Sequence, residues 1–307
     1  MTEERPSLAR IYWILMKPRV VFLLQATAIC GVLIYDLGEG YKNEGWKPID
    51  SVITSLIVLI GGSLASGGSM AINMWYERDI DPLMERTESR PIPSGFISPA
   101  HALTFGIIVC LTGVAIVTLL TVPEAGMITG FSAFFYVFIY TMFLKRRTPQ
   151  NIVIGGLAGA TPPAIGWIAA GGNIDDPLPW LMVLTIFMWT PPHFWSLTLS
   201  KRRDYGEAGV PMLPVVKGED VTRNHIAAYT VILVVTSLMM VLIGNTGLLF
   251  LVSGMLLSCY FCYLSFSLRN SKSEDEAWNL FKFSNIYLYS LFVCLVLDAK
   301  YYFPVFE

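Results

Sequence analysis

Three polar residues stand one helical turn apart where a long apolar run ends: Asn73, Glu77 and Asp81, in "NMWYERDIDPLMERT" (73–87). On a continuing helix, at about 100° per residue, they fall at roughly 0°, 40° and 80°, an amide and two carboxylates on one face. Asp79, at roughly 240°, points elsewhere. Pro82 disfavours helical geometry at Asp81 and so places that residue at the helix tip. Ordinary helix ends also carry acids. Two aligned carboxylates where water is scarce nevertheless repel one another unless something compensates. Mg²⁺ would do so, since it typically takes one or two carboxylates together with phosphate oxygens.

A second polar set lies in "WTPPHFWSLTLSKRRDYGEAGVPMLP" (189–214). His193 and Asp204 are three turns apart and only about 20° off a common helical face. Lys201 comes one turn before Asp204 and adds a cation. His193 sits inside an apolar stretch, so it faces the bundle interior or a cavity, as a structural residue or as a ligand. Between the two sets, Lys145, Arg146 and Arg147 follow the apolar "YTMFL". Three such cations are an ordinary cytoplasmic anchor, and also what a phosphate-rich ligand wants beside Mg²⁺.

The elements that position these residues are membrane helices. Of 307 residues, 54% are hydrophobic and 14% charged, and a net charge of −2 argues against a nucleic-acid partner. Apolar stretches of about 18 residues or more recur along the chain, the mark of a polytopic α-helical membrane protein. Nine spans are expected, near 20–36, 53–72, 102–121, 125–144, 151–170, 178–199, 226–243, 247–267 and 283–302. With the N-terminus cytoplasmic and the C-terminus outside, the inner segments hold 18 Lys/Arg and the outer ones three, Lys42, Lys47 and Lys300. That is a strong positive-inside bias, and it would collapse if one span were gained or lost. Residues 1–19 read as a cytoplasmic interfacial segment rather than a cleavable signal, and acids at positions 3 and 4 favour a prokaryotic plasma membrane. Small residues in "GGSLASGGSMAI" (61–72) suit close helix packing, and equally leave room for a long apolar ligand. Pro162 and Pro163 must kink or break the fifth span. The five cysteines all lie in apolar spans and read as small membrane-embedded residues.

These residues, with "KPRVVFL" (17–23), "NMWYERDIDPLMERTESRPIPSG", "KRRTPQN…GGLAGATPPAIGW" and "PHFWSL…DYGEAGVPMLPVV", resemble the haem-modifying branch of the UbiA superfamily of intramembrane prenyltransferases. The similarity runs through most of the chain, with three motifs in order at the inner membrane face. It implies one membrane-embedded domain over 1–307, a bundle of nine helices around a lipid-accessible cavity. It implies a Mg²⁺-dependent enzyme that transfers the farnesyl group of farnesyl diphosphate to a vinyl group of haem B, with addition of water, to give haem O. By resemblance, Asn73, Glu77, Asp81, Lys201, Asp204 and His193 carry catalysis, with Glu77, Asp81 and Asp204 on the metal and His193 beside the haem. Arg19, Arg86, Lys145, Arg146 and Tyr205 are the implied diphosphate contacts. Haem A synthase or terminal-oxidase assembly machinery is the implied downstream partner. Glu77 stands where the family pattern carries Asp, and its extra methylene moves a cation by on the order of 1 Å unless the helix adjusts. A quinone- or chlorophyll-type prenyltransferase is the nearest alternative, but those carry paired acids four residues apart where this chain has Asp204 and Ala208. A transporter would instead place ionisable residues at the bilayer midplane.

Overall fold

Prolines open the helices. Six of them begin at Pro18, Pro48, Pro99, Pro123, Pro162 and Pro177, where the fixed φ suits a first helical turn and the missing N–H has no intrahelical partner to lose. The computed structural model describes residues 6–40, 45–83, 87–200 and 211–305. Its helices are α1 (Leu8–Leu15), α2 (Pro18–Leu37), α3 (Pro48–Tyr76), α4 (Pro99–Leu120), α5 (Pro123–Phe134), α6 (Asn151–Ala160), α7 (Pro162–Ala169) and α8 (Pro177–Ser200). They are followed by α9 (Leu213–Val216), α10 (Glu219–Leu242), α11 (Leu248–Ser271) and α12 (Glu274–Lys300). A π-helix, Phe135–Leu144, continues α5.

Each of the nine stretches expected to span is helical over most of its length. Among the described residues, eight helical segments are long and apolar enough to cross a membrane, α5 counted with its π continuation and α6 with α7. The remaining one, α8, is a single 24-residue helix with Pro191 and Pro192 inside it, and is not among those eight. Thr161 separates α6 from α7, so the proline pair breaks the fifth span as its sequence requires. The outer surface is apolar, with Phe22, Leu111, Leu119 and Leu256 all exposed. Polar side chains turn inward instead, as in the Ser237–Ser258 and Thr230–Ser265 hydroxyl pairs between α10 and α11, both at 2.7 Å. Asp298, an acid inside the last span, receives the N–H groups of Gly247 (2.6 Å) and Phe250 (2.9 Å) and so caps the start of α11.

Close helix contacts explain the small residues. A Cβ on Gly166 of α7 would lie 1.9 Å from the Ala28 carbonyl oxygen of α2, and one on Gly31 would lie 2.1 Å from that of Pro163. Neither neighbour is a side chain that could swing aside. Gly166→Ala is therefore expected to push α2 from α7 and destabilise the fold by about 1–3 kcal/mol. Thermal unfolding in detergent checks this, and an unchanged midpoint would contradict the close approach. In the 61–72 run both readings hold. Gly61 and Gly68 face α4 at contact distance, whereas Gly62, Ser66 and Ser69 line a cavity.

Candidate active site

The helix that carries the first motif ends earlier than its periodicity suggests. α3 stops at Tyr76 and Glu77 is its C-terminal cap, with its N–H on the Asn73 carbonyl at 3.0 Å. The N–H groups of Ile80 (3.0 Å) and Asp81 (2.9 Å) both return to the Glu77 carbonyl, and a 3₁₀ turn, Asp81–Leu83, follows. Asp81 is thus on a separate tight turn rather than at the tip of α3. The three side chains still converge, since Asn73, Glu77 and Asp81 are all buried.

Cations from three other places in the chain meet them. Lys145 pairs with Glu77 Oε1, and Arg90 donates to Asp81 Oδ1 at 2.6 Å and lies 3.8 Å from Glu77 Oε2. Lys17 donates from Nζ to Asn73 Oδ1 at 2.6 Å, and the Asn73 amide donates to Glu77 Oε1 (2.9 Å) and to Thr141 Oγ1 (3.1 Å). Lys17 has a left-handed backbone, φ 48° and ψ 62°, immediately before Pro18. That conformation costs a non-glycine residue about 1–3 kcal/mol and is typical of functional sites. It is imposed from both sides, because α1 is pinned by Tyr12, whose hydroxyl meets His101 Nε2 at 2.9 Å and whose ring stacks on Phe105.

The charges tune one another. Burial pushes the Glu77 carboxyl up, but the Lys145 and Lys17 ammonium groups, with hydrogen bonds from Lys145 and Asn73, hold it down at about 2. Burial, reinforced by Arg90, brings the Lys17 ammonium down to about 7. Burial also raises the Asp81 carboxyl, only partly offset by Arg90.

The π-helix aims Lys145 into this cluster. The Lys145 N–H reaches the Tyr140 carbonyl at 2.9 Å, five residues back. At roughly 4.4 residues per turn, Tyr136, Tyr140, Thr141 and Lys145 share an arc of roughly 80°. An α-helix would set Thr141 and Lys145 roughly 140° and 180° away from Tyr136. The wide turn puts all four on the site's face, where Tyr136 also donates to Met70 Sδ at 3.0 Å.

Above the cluster opens a cavity of about 490 Å³, walled by α2, α3, α5, α6, α7 and α8. Lys17, Arg90 and Lys145 surround its polar end, while Leu23, Leu24, Ile165, Ile186 and Trp189 make it apolar further in. His193 lines it too, so the expectation that this histidine faces a cavity holds. Arg19 is exposed at its edge. Arg146 is not brought in. Its guanidinium forks onto Asp79 at 2.7 and 2.8 Å and lies over the Tyr76 ring. Asp79 does point away from the other acids, and Arg146 follows it outward because a bidentate carboxylate is the nearer partner. Arg146→Ala is accordingly expected to change the affinity for a diphosphate ligand less than about threefold, as for other exposed ion pairs. A loss comparable with that of Lys145→Ala would place Arg146 in the cradle after all.

Arg86, Lys201, Asp204 and Tyr205 lie outside the described residues. Sequence reading passed over Lys17 and Arg90 in favour of their neighbours Arg19 and Arg86. The one signal for Lys17 was its place before a proline at the end of an amphipathic segment. Arg90, in an irregular loop, had none.

The donor set fits a hard divalent cation. Asp81 Oδ2 is buried with no hydrogen-bond partner among the described residues, beside an ionised Glu77. Two carboxylates suit Mg²⁺, whose remaining ligands are usually water and phosphate oxygens.

A cation-ringed acidic cradle at the mouth of an apolar intramembrane cavity defines an enzyme for long-chain diphosphates. The sequence agrees: residues 40–289 match the UbiA prenyltransferase family, and the chain belongs to that family. Among its relatives is the protoheme IX farnesyltransferase of Granulibacter bethesdensis, 44% identical over 97% of this chain and 94% of its own. That of Alcanivorax borkumensis is 40% identical over 96% and 94%. The fold matches a UbiA homolog from Archaeoglobus fulgidus bound to GPP and Mg²⁺, with a TM-score of 0.66 and 16% identity over 93% of this chain and 99% of that one. A digeranylgeranylglyceryl phosphate synthase structure superposes with a TM-score of 0.77 at 19% identity, covering 95% and 99%.

Proposed function

We propose that the protein transfers the farnesyl group of farnesyl diphosphate to a vinyl group of haem B, with addition of water, giving haem O and diphosphate. The observation that carries this reading is the continuity of the acidic cradle with the apolar cavity, in a chain 44% identical to a protoheme IX farnesyltransferase. Lys17, Arg90 and Lys145 draw in the diphosphate and hold its oxygens as negative charge grows on them. Glu77 and Asp81, with Asp204 of the second motif, would hold Mg²⁺, which would supply further charge for the leaving diphosphate. Lys201 of the second motif carries catalysis with Asp204, and Tyr205 adds a diphosphate contact in this reading.

The C1–oxygen bond of the farnesyl donor then ionises. Leu23, Leu24, Ile165 and Ile186 keep bulk water from the allylic cation. The Tyr136 and Tyr140 rings, 5.5 Å apart, offer π faces close to the cradle. The vinyl carbon attacks C1, and water captures the resulting cation with loss of a proton to the released diphosphate. In this reading the chain crosses a prokaryotic cell membrane nine times, with the N-terminus and the cradle at the inner face and the C-terminus outside, as the positive-inside bias supports. The bilayer delivers both apolar substrates, and haem A synthase or terminal-oxidase assembly machinery receives the product.

The test is an assay of purified protein in detergent with haem B, farnesyl diphosphate and Mg²⁺, its products weighed by mass spectrometry. A haem heavier by farnesyl plus water, lost on chelation and regained with Mg²⁺, is expected. Folded protein that binds both substrates yet forms no such product would overturn the assignment.

A further inference from the structure

His193 is clamped on three sides. Its ring stacks on Trp189 with centroids 4.2 Å apart, leans on Phe281 at 4.7 Å and meets Phe194 edge-on at 5.3 Å. Its Nδ1 lies 2.6 Å from Ser284 Oγ of α12. The surrounding bonds decide which atom donates. The Ser284 hydroxyl has one proton, and it donates to the Phe281 carbonyl at 2.6 Å. Ser284 Oγ therefore accepts from His193, which carries its proton on Nδ1. Trp189 Nε1 donates to the Ser284 carbonyl at 2.8 Å and steadies the same turn of α12. Among the described residues Nε2 has no hydrogen-bond partner, which leaves its lone pair on a ring that lines the cavity.

We propose that Ser284 is a positioning residue that holds His193 in the Nδ1–H tautomer, so that Nε2 ligates the iron of the haem substrate. This rests on haem being the acceptor, as proposed above. A histidine that binds a metal characteristically donates its other N–H to a fixed partner, and imidazole is a common axial ligand of haem iron. The alternative role, a base for the attacking water, needs a partner that stabilises imidazolium. Among the described residues no carboxylate touches His193, and its neighbours are three aromatic rings and a neutral hydroxyl. An axial bond fixes the height and tilt of the porphyrin, and with them the distance from its vinyl edge to the farnesyl C1.

The experiment titrates purified protein with haem B and with metal-free protoporphyrin, recording absorption and resonance Raman spectra of the bound haem. His193→Gly is expected to lose the iron–imidazole signature while keeping its affinity for metal-free protoporphyrin, and added imidazole to restore the signature. Ser284→Ala is expected to weaken haem binding about tenfold or more, and Ser284→Thr, which keeps the hydroxyl, to retain it. Unchanged binding of farnesyl diphosphate shows that each variant is folded. A His193→Gly protein whose bound haem keeps the wild-type spectrum overturns the inference and leaves the reaction standing. Equal losses for haem and metal-free protoporphyrin overturn it in favour of a packing role. Wild-type protein that binds no haem overturns it together with the acceptor assignment.

Discussion

Asp81→Asn is expected to lower kcat/KM for farnesyl diphosphate by about 10²- to 10³-fold, the loss typical when one preorganised electrostatic group of an active site is removed. The two side chains are nearly the same size, so the 3₁₀ turn and its Thr87 hydroxyl bond to the Asp81 carbonyl (2.8 Å) remain. Two things change. Oδ1 loses the charge that holds Arg90 at 2.6 Å, and Oδ2, without a partner among the described residues, loses the charge a cation would meet. The Mg²⁺ concentration for half-maximal rate is expected to rise in the same variant, because Glu77 and Asp204 without Asp81 are a poorer ligand set. The measurement is initial rate against Mg²⁺ and against farnesyl diphosphate. A kcat/KM within about threefold of wild type, with unchanged Mg²⁺ dependence, would remove Asp81 from the metal site.

Lys17→Met is expected to reduce kcat/KM about 10- to 100-fold, the worth of one charge-assisted hydrogen bond to a phosphate oxygen. Lys17 also adds a pH dependence. With its ammonium brought to about 7 by burial and by Arg90, it is cationic below that pH and loses its charge as pH rises through it. Glu77, held at about 2, stays ionised across the same range. Since kcat/KM reports the free enzyme, its profile is expected to fall above about pH 7. Lys17→Arg keeps the charge at all accessible pH and should flatten that limb while leaving the acid side unchanged. A descending limb that persists in Lys17→Arg would assign it to another group.

The family and the membrane architecture were legible without coordinates, because both rest on local properties. A run of some twenty apolar residues has only one way to satisfy its backbone in a bilayer, and prolines mark where six of the helices begin. The positive-inside bias and the grouping of Asn73, Glu77 and Asp81 likewise need only positions along the chain. Asp79 could be set aside by periodicity alone, and it does stand apart, paired with Arg146.

Partner choice was different, because it depends on distances between residues far apart in sequence. That α3 stops at Tyr76 and a separate turn brings Asp81 to Arg90 was not readable from the spacing of Asn73, Glu77 and Asp81. Arg146 had the same sequence claim on a diphosphate as Lys145. The π-helix turned one inward to Glu77, and Asp79 drew the other out. Lys17 became a cradle residue through a left-handed backbone that no propensity favours before proline. The proton on His193 was decided by Ser284, 91 residues further along the chain. Sequence determined which chemistry the mouth of the bundle could hold. Only the tertiary structure decided which charges meet there, since electrostatic and hydrogen-bond energies fall off with separation in space and carry no memory of separation along the chain.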